Sequence, residues 1–288
     1  MILVTGAAGK TGRAVIAALV AKGQPVRALV HRDEQIGLVR SLGAEEAVVG
    51  DMRVENTLRK AARGVSELYH ICPNMSPEEV QIGRVAIAAA REVGIEQFVF
   101  HSVMHPQTQA MLHHWNKLRV EEALFESHLS YTILQPASYM QNVLASWQSI
   151  VERGLYVIPY SVNARMSMVD LEDLGEAASV VLTQPGHMGA IYELAGPEIL
   201  TQTQVADILG KHVGRLVRAE QMAIKTWRQQ ARTSGMGRYQ IETLAKMFEY
   251  YDRWGFCGNP RILRTLIGRN PTTFEAFLKR TIQQRMQH

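Results

Sequence analysis

Gly6, Gly9 and Gly12 stand three residues apart, between the short apolar run Ile2-Leu3-Val4-Thr5 and a helical stretch from Arg13 to Lys22. In order, these read as a buried strand, a tight turn and a helix N-terminus. Glycine reaches backbone conformations closed to other residues and leaves no side chain between the main chain and a ligand. The first N–H groups of a helix have no partner within it, and the helix dipole adds positive partial charge at the same end. That combination holds phosphate, and its place between a strand and a helix points to the pyrophosphate of a dinucleotide. Gly6, Ala8, Gly9, Lys10, Thr11 and Gly12 are therefore the candidate cradle, with the Lys10 ammonium either a phosphate contact or simply solvated.

About 20 residues beyond such a turn, a dinucleotide site places the residue that reads the ribose. Here Val26-Arg27-Ala28-Leu29-Val30 reads as the next strand and ends in His31-Arg32. An acidic residue would bond a 2′-hydroxyl, whereas Arg32 can neutralise a 2′-phosphate. NADP(H) is accordingly favoured over NAD(H). Arg32 can also be read as a solvated arginine at a strand end, and Asp33 and Glu34 directly after it keep NAD open.

The elements that must position these groups alternate along the first half of the chain. Strands are expected at 46–50, 66–71, 97–101 and 130–134, with helices around 54–63, 77–93 and 110–127. Such alternation implies an α/β fold, a doubly wound parallel Rossmann sheet with helices on both faces and ligand at the carboxyl ends of the strands. Those ends carry Asp51 with Met52, Ile71-Cys72-Pro73, Ser102 and Pro136, all cofactor-side candidates by position. Asp51 could accept from the adenine amine or cap the next helix. Cys72 reads best as a small buried apolar residue.

Past Pro136 the alternation fades. Residues 139–153 read as helical, 155–159 and 166–169 as extended, 171–183 as a helix and 190–194 as a strand that rejoins the sheet. From Thr201, a helix N-cap, the pattern is almost wholly helical, and Thr272 to Glu275 has the spacing of a capping box. The expected organisation is a dinucleotide-binding domain over 1–139, with 171–196 returning to it. A smaller, mostly helical C-terminal lobe is drawn from 140–170 and 197–288 and takes the substrate or a partner. Tyr139 and Asn142 would line the substrate cleft, although core packing accounts for Tyr139 equally well.

Composition excludes several classes. No stretch approaches the roughly 18 apolar residues of a membrane span, so no membrane association is expected. A strand beginning at Met1 leaves no room for a leader, and only Cys72 and Cys257 are present, which together point to the cytoplasm. His101, His105, His113 and His114 crowd one region without carboxylates or cysteines at ligand spacing, so no metal is expected. The formal charge is +4, but the basic excess lies from Lys211 onward and the remainder is net acidic. Those cations are scattered and fit no DNA-binding motif, so direct nucleic-acid binding is not expected.

Four segments carry a family likeness: Phe98-Val99-Phe100-His101-Ser102-Val103, His113-His114-Trp115-Asn116-Lys117, the stretch from Tyr131 through Gln135-Pro136 to Asn142, and Leu266-Ile267-Gly268-Arg269-Asn270-Pro271-Thr272-Thr273-Phe274. Together they resemble the NmrA-like family of atypical short-chain dehydrogenases/reductases. In the wider dehydrogenase group a serine and a Tyr-x-x-x-Lys pair form the active site. The tyrosine exchanges a proton with the substrate oxygen, while the lysine holds the nicotinamide ribose and lowers the tyrosine pKa. The resemblance places Ser102 and Lys117 at two of these positions and His113 where the tyrosine belongs. Four-residue spacing puts His113 and Lys117 on one helix face. His113 can be read as the acid, as a substrate or cofactor contact, or as structural. The resemblance implies one of two functions. One is an NADPH-dependent reductase of a quinone-like or other small electrophile, whose delocalised product charge reduces the need for a strong acid. The other is a non-catalytic NADPH/NADP redox sensor that regulates a protein partner.

Overall fold

Ile2, Leu3 and Val4 are all buried, so the first strand, β1 (Ile2–Val4), is covered on both faces, as its unbroken apolar run requires. The computed structural model describes residues 1–286. Strands β2 (Val26–Val30), β3 (Glu46–Val49), β4 (Glu67–His70), β5 (Gln97–His101) and β6 (Tyr131–Pro136) follow, separated by helices α1 (Lys10–Ala21), α2 (Ile36–Ser41), α3 (Glu55–Ala62), α4 (Glu79–Val93) and α5 (Leu112–Phe125). Next come β7 (Ser138–Tyr139), a 3-10 segment (Met140–Ser146), α6 (Trp147–Arg153), β8 (Leu155–Ile158), β9 (Met166–Val169), α7 (Leu171–Thr183) and β10 (Ala190–Leu194). The last part holds β11 (Ile199–Leu200), α8 (Gln202–Val213), β12 (Arg218–Gln221), α9 (Ile224–Thr233), α10 (Arg238–Trp254), α11 (Arg261–Ile267) and α12 (Phe274–Met286).

Seven strands form one sheet in the order β10-β6-β5-β4-β1-β2-β3. Ile2 is in register with Val26 of β2 on one side and with Glu67 of β4 on the other, both parallel. The chain builds outward from β1 through β2 and β3, then crosses to β4 and builds the other way. The strand order therefore reverses at β1, and the glycine turn leaves β1 at that crevice. The fold is the doubly wound Rossmann sheet.

Contacts divide the chain into two units. The first comprises Met1–Gln109, His113–Pro136 and Leu171–Glu193; the second comprises Ala110–Leu112, Ala137–Asp170 and the chain from Leu194 onward. In the first, Phe98, Phe100, Leu3, Leu29 and Leu68 of the sheet pack with Leu58 of α3, Ala86 and Ala90 of α4, and Val120 and Leu124 of α5. Helix α7 lies on α1 so closely that a Cβ at Gly175 would stand 2.6 Å from the Ala14 carbonyl oxygen. In the second unit, Tyr156, Ile158, Met168, Leu209, Phe274 and Phe277 form a separate core. There β9 pairs with β7 and β11, and β8 pairs with β12. Among the described residues no helix is long and apolar enough to cross a membrane.

Three local expectations need correction. The stretch 139–153 is not one helix: Ser138–Tyr139 pair with β9, and a 3-10 segment precedes α6. Met140 and Val143 are both buried, and a three-residue repeat puts both on one face in a 3-10 turn. The C-terminal part is not wholly helical, because β12, with the polar sequence Arg218-Ala219-Glu220-Gln221, is held as a strand by parallel pairing to β8. The last helix is capped one residue later than the spacing implied: Thr273 Oγ1 accepts from the Ala276 N–H at 3.2 Å. Thr201, by contrast, caps α8 as expected, in a reciprocal box with Gln204.

Candidate active site

The glycine turn is built from contacts that reach β4. Thr5 Oγ1 accepts from the Ile71 N–H at 2.9 Å and lies 3.1 Å from the Ile71 carbonyl oxygen, which ties the start of the turn to the end of that strand. Gly6 follows at φ +58°, and a Cβ there would be 2.9 Å from the Ile71 carbonyl oxygen. The Gly9 N–H donates to the Gly6 carbonyl at 3.0 Å. A Cβ at Gly12 would collide with the Gly6 carbonyl oxygen and come within 2.7 Å of the Ala7 Cα. The three glycines thus hold a tight loop on backbone contacts alone. Gly9 begins α1 with no side-chain cap and no acidic residue in the first turn. Lys10 is exposed, Ala8 and Thr11 are half-buried, and the first-turn N–H groups of α1, which have no partner within the helix, suit an anion.

At the end of β2, Gln35 Oε1 accepts from the backbone N–H groups of His31 (2.9 Å) and Arg32 (3.1 Å). This bracket fixes the main chain while the Arg32 side chain remains exposed. Asp33 and Glu34 lie in the 3-10 turn that follows, also exposed. Asp51 accepts from the Arg53 N–H (2.9 Å) and from its guanidinium (2.6 Å to Nη2), which holds its carboxyl down at about 2. The helix that follows is N-capped at Val54 without a side-chain bond, so the Asp51 carboxylate is engaged by Arg53 and does not cap it. Met52 packs against the sheet core, Ile71 is half-buried and Pro73 exposed.

Ser102 follows β5 and is buried, with its hydroxyl donating to the buried Glu121 carboxylate. Gln135 Nε2 donates to the same carboxylate at 3.0 and 3.1 Å. Burial raises the Glu121 carboxyl above its usual range, while the Ser102 and Gln135 bonds pull it down. Lys117 Nζ donates to Glu79 Oε1 at 2.9 Å and to the His101 carbonyl oxygen at 3.2 Å, and lies 5.4 Å from the centre of the Phe100 ring. Pro136 ends β6, and its carbonyl accepts from the Met104 N–H at 2.9 Å, laying the segment after Ser102 along that strand.

His113 sits one turn before Lys117, half-buried, with its Nδ1 buried and unpartnered and its ring edge-on to His114 at 4.3 Å. Burial, with His114 and Lys117 nearby, lowers the imidazole to about 2. The ring is therefore neutral near pH 7. It can offer a neutral N–H or a lone pair, but it has no imidazolium proton to give, which removes the chemical basis for reading it as a strong acid. Tyr139 and Asn142 lie in the second unit, where Asn142 is exposed and its Nδ2 donates to Ser138 Oγ at 3.3 Å. The neighbouring Gln141 bonds the fully buried Asp170 (2.6 Å), as does Arg280 (2.5 Å). Among the described residues no group of three His, Cys, Asp or Glu could hold a metal ion.

Sequence reasoning missed Glu79, Glu121 and Asp170. Glu121 was within reach, since it falls one turn after Lys117 on the same helix face. Glu79 opens a helix, where a carboxylate is ordinarily solvated, and carried no such signal.

The model of the NmrA-like family matches residues 1–278. The NAD(P)H azoreductase of Xenophilus azovorans is 28% identical over 284 residues, covering 97% of each chain. Quinone oxidoreductase 2 of Escherichia coli (strain K12) is 28% identical over 275 residues, covering 95% of each. The crystal structure of an NADPH-dependent quinone oxidoreductase from Escherichia coli, complexed with NADPH, superposes with a TM-score of 0.86 at 26% identity, covering 98% of this chain and 100% of that one.

Proposed function

Since the chain belongs to the NmrA-like family, we propose that it is an NADPH-dependent reductase of small electrophiles of the quinone class, acting in the cytoplasm. The observation that carries the reading is the glycine turn. It is an uncapped helix N-terminus at the switch point of the sheet, closed around positions where a Cβ would strike backbone, with an exposed arginine at the end of the neighbouring strand. Relatives of the same length that reduce azo compounds and quinones support it.

Gly6, Gly9 and Gly12 with the first turn of α1 would take the pyrophosphate, and Arg32 the 2′-phosphate that separates NADPH from NADH. Bound there, NADPH supplies a hydride. Lys117, held at the end of β5 by Glu79 and the His101 carbonyl, supplies a fixed positive charge. His113 supplies a neutral ring in place of a tyrosine. Ser102 directs its proton to Glu121 and so presents lone pairs rather than a donor. Such a site lacks a strong acid, which suits an acceptor whose added electron pair is spread over a conjugated ring. A quinone that gains a hydride becomes a hydroquinone anion, stabilised by its own ring, and is completed by a proton from water.

The test is titration of the purified protein with NADPH, NADP, NADH and NAD, read by tryptophan fluorescence, followed by NADPH oxidation against a quinone series. Binding of the phosphorylated pair well ahead of the other, with hydroquinone formed in step with NADPH consumed, is the expected outcome. Binding of none of the four would overturn the proposal.

A further inference from the structure

Glu79 is 3% exposed, and the Lys117 side chain facing it is 14% exposed. Removing either charge from water is costly unless the partner is well placed. Here the carboxylate and ammonium meet at 2.9 Å, with the His101 carbonyl as a second acceptor at 3.2 Å and the Phe100 ring beside them. Glu79 is also the first residue of α4, where free N–H groups put positive partial charge next to the carboxylate. The carboxylate thus sits between two attractions and is fixed by the fold. Lysine carries its ammonium on a flexible four-carbon stem, so an anchored anion is what defines where that charge lies. Burial, and after it the same carboxylate, pushes the neighbouring Cys72 thiol up, so the cysteine remains a neutral thiol beside the pair.

We propose that Glu79 is the positioning residue for Lys117: from α4 it fixes the ammonium of α5 at the carboxyl end of β5, and it acts on the reaction through that lysine. The inference rests on the assignment of Lys117 to the reductase site. It differs from a merely structural ion pair in what happens when both charges are removed together. A buried pair replaced by neutral groups of similar shape regains fold stability, whereas a positioning role leaves the chemistry impaired.

The experiment is a double-mutant cycle on the full chain, with Glu79→Gln, Lys117→Met, the double variant and Glu79→Asp. It reads NADPH dissociation constant, kcat and KM with 1,4-naphthoquinone, and thermal midpoint. We expect Glu79→Gln to lower kcat by about tenfold, within the roughly hundredfold that a 1 Å misplacement can cost. KM should change little, and Glu79→Asp should restore part of the rate. The double variant should regain thermal midpoint while its kcat stays at that of Lys117→Met, since the two substitutions then remove one function. An unchanged kcat in Glu79→Gln beside an impaired Lys117→Met would overturn the positioning role and leave the reductase reading intact. Defects that multiply in the double variant would also overturn it, because Glu79 would then act by another route. Full activity in Lys117→Met would remove the lysine from the site and the inference with it, while the NADPH titration would still stand for the cofactor.

Discussion

Replacement of Arg32 tests the proposed 2′-phosphate contact with little interference from the fold. Its backbone is held by the Gln35 side-chain oxygen, which bonds the N–H groups of residues 31 and 32 whatever side chain is present. Its own side chain is exposed, so Arg32→Ala should remove a ligand contact without disturbing the fold. A charge-assisted hydrogen bond contributes about 1.5–3 kcal/mol, and each 1.4 kcal/mol or so is a factor of ten in affinity. NADPH and NADP should therefore bind about 10- to 100-fold more weakly, with the exposure of the site favouring the lower figure, while NADH and NAD keep their affinity. Arg32→Glu adds repulsion between like charges, worth about 1 kcal/mol in bulk water at 4 Å and up to about 4 kcal/mol at the effective dielectric of a protein surface. It should widen the deficit further. The assay is tryptophan quenching with all four nucleotides at two salt concentrations. The wild-type preference for the phosphorylated pair should narrow as salt screens the contact, and that of Arg32→Ala should not. Equal losses for NADPH and NADH, or no loss for either, would refute the assignment of Arg32 to the 2′-phosphate.

Gly12→Ala drives a methyl into the Gly6 carbonyl and the Ala7 Cα. It should weaken all four nucleotides alike in the same titration and destabilise the protein by about 1–3 kcal/mol in a denaturant melt. Ser102→Ala removes a donor to the buried Glu121 and should cost about 1–3 kcal/mol of stability. Because that hydroxyl proton is already given to Glu121, kcat with a quinone should fall by less than about threefold, and a loss of a thousandfold would show that Ser102 acts on substrate. Burial holds His70 and His101 down at about 3, and His114 at about 4. Folded-state pKa values below the unfolded value of about 6.5 mean that the unfolded chain binds protons first. Their contribution is present at neutral pH and is lost as pH falls from about 6.5 towards 3, at up to about 1.4 kcal/mol per pH unit for each ring. Thermal midpoints measured from pH 7.5 to pH 4.5 should drop steeply below pH 6, and His114→Gln should flatten that slope.

The parts of the fold that were legible in the chain are those specified locally. Val26–Val30, Gln97–His101, Leu171–Thr183 and Ala190–Leu194 fall where composition and periodicity put them, because each is an apolar run or an amphipathic stretch bounded by polar or turn-forming residues. The glycine turn was legible for the same reason: strand, turn and helix N-terminus are consecutive, and the steric demand at Gly12 comes from residues only a few positions away. β12 was not legible. Arg-Ala-Glu-Gln has no strand character of its own, and what makes it a strand is a partner some sixty residues earlier in the chain. The start of α12 failed by a single residue because Thr272 and Thr273 are both competent caps, and only the observed helix start selects between them.

The candidate site divides along the same line. Ser102, His113 and Lys117 could be placed on their elements by resemblance, but their chemistry is decided by groups far away in sequence. Lys117 is paired from α4, and Ser102, at the end of β5, is bound by the Glu121 carboxylate of α5. The histidine in the tyrosine position shows why this matters. A histidine as a residue type has a pKa suited to acid catalysis at neutral pH, whereas burial, with His114 and Lys117 nearby, lowers this one and keeps the ring neutral. Acid strength here belongs to the environment, which burial and the neighbouring His114 and Lys117 set. If Ser102, His113 and Lys117 form the reductase site as proposed, it suits acceptors that stabilise their own charge, which is the physical reason to look for its substrates among conjugated electrophiles rather than simple ketones.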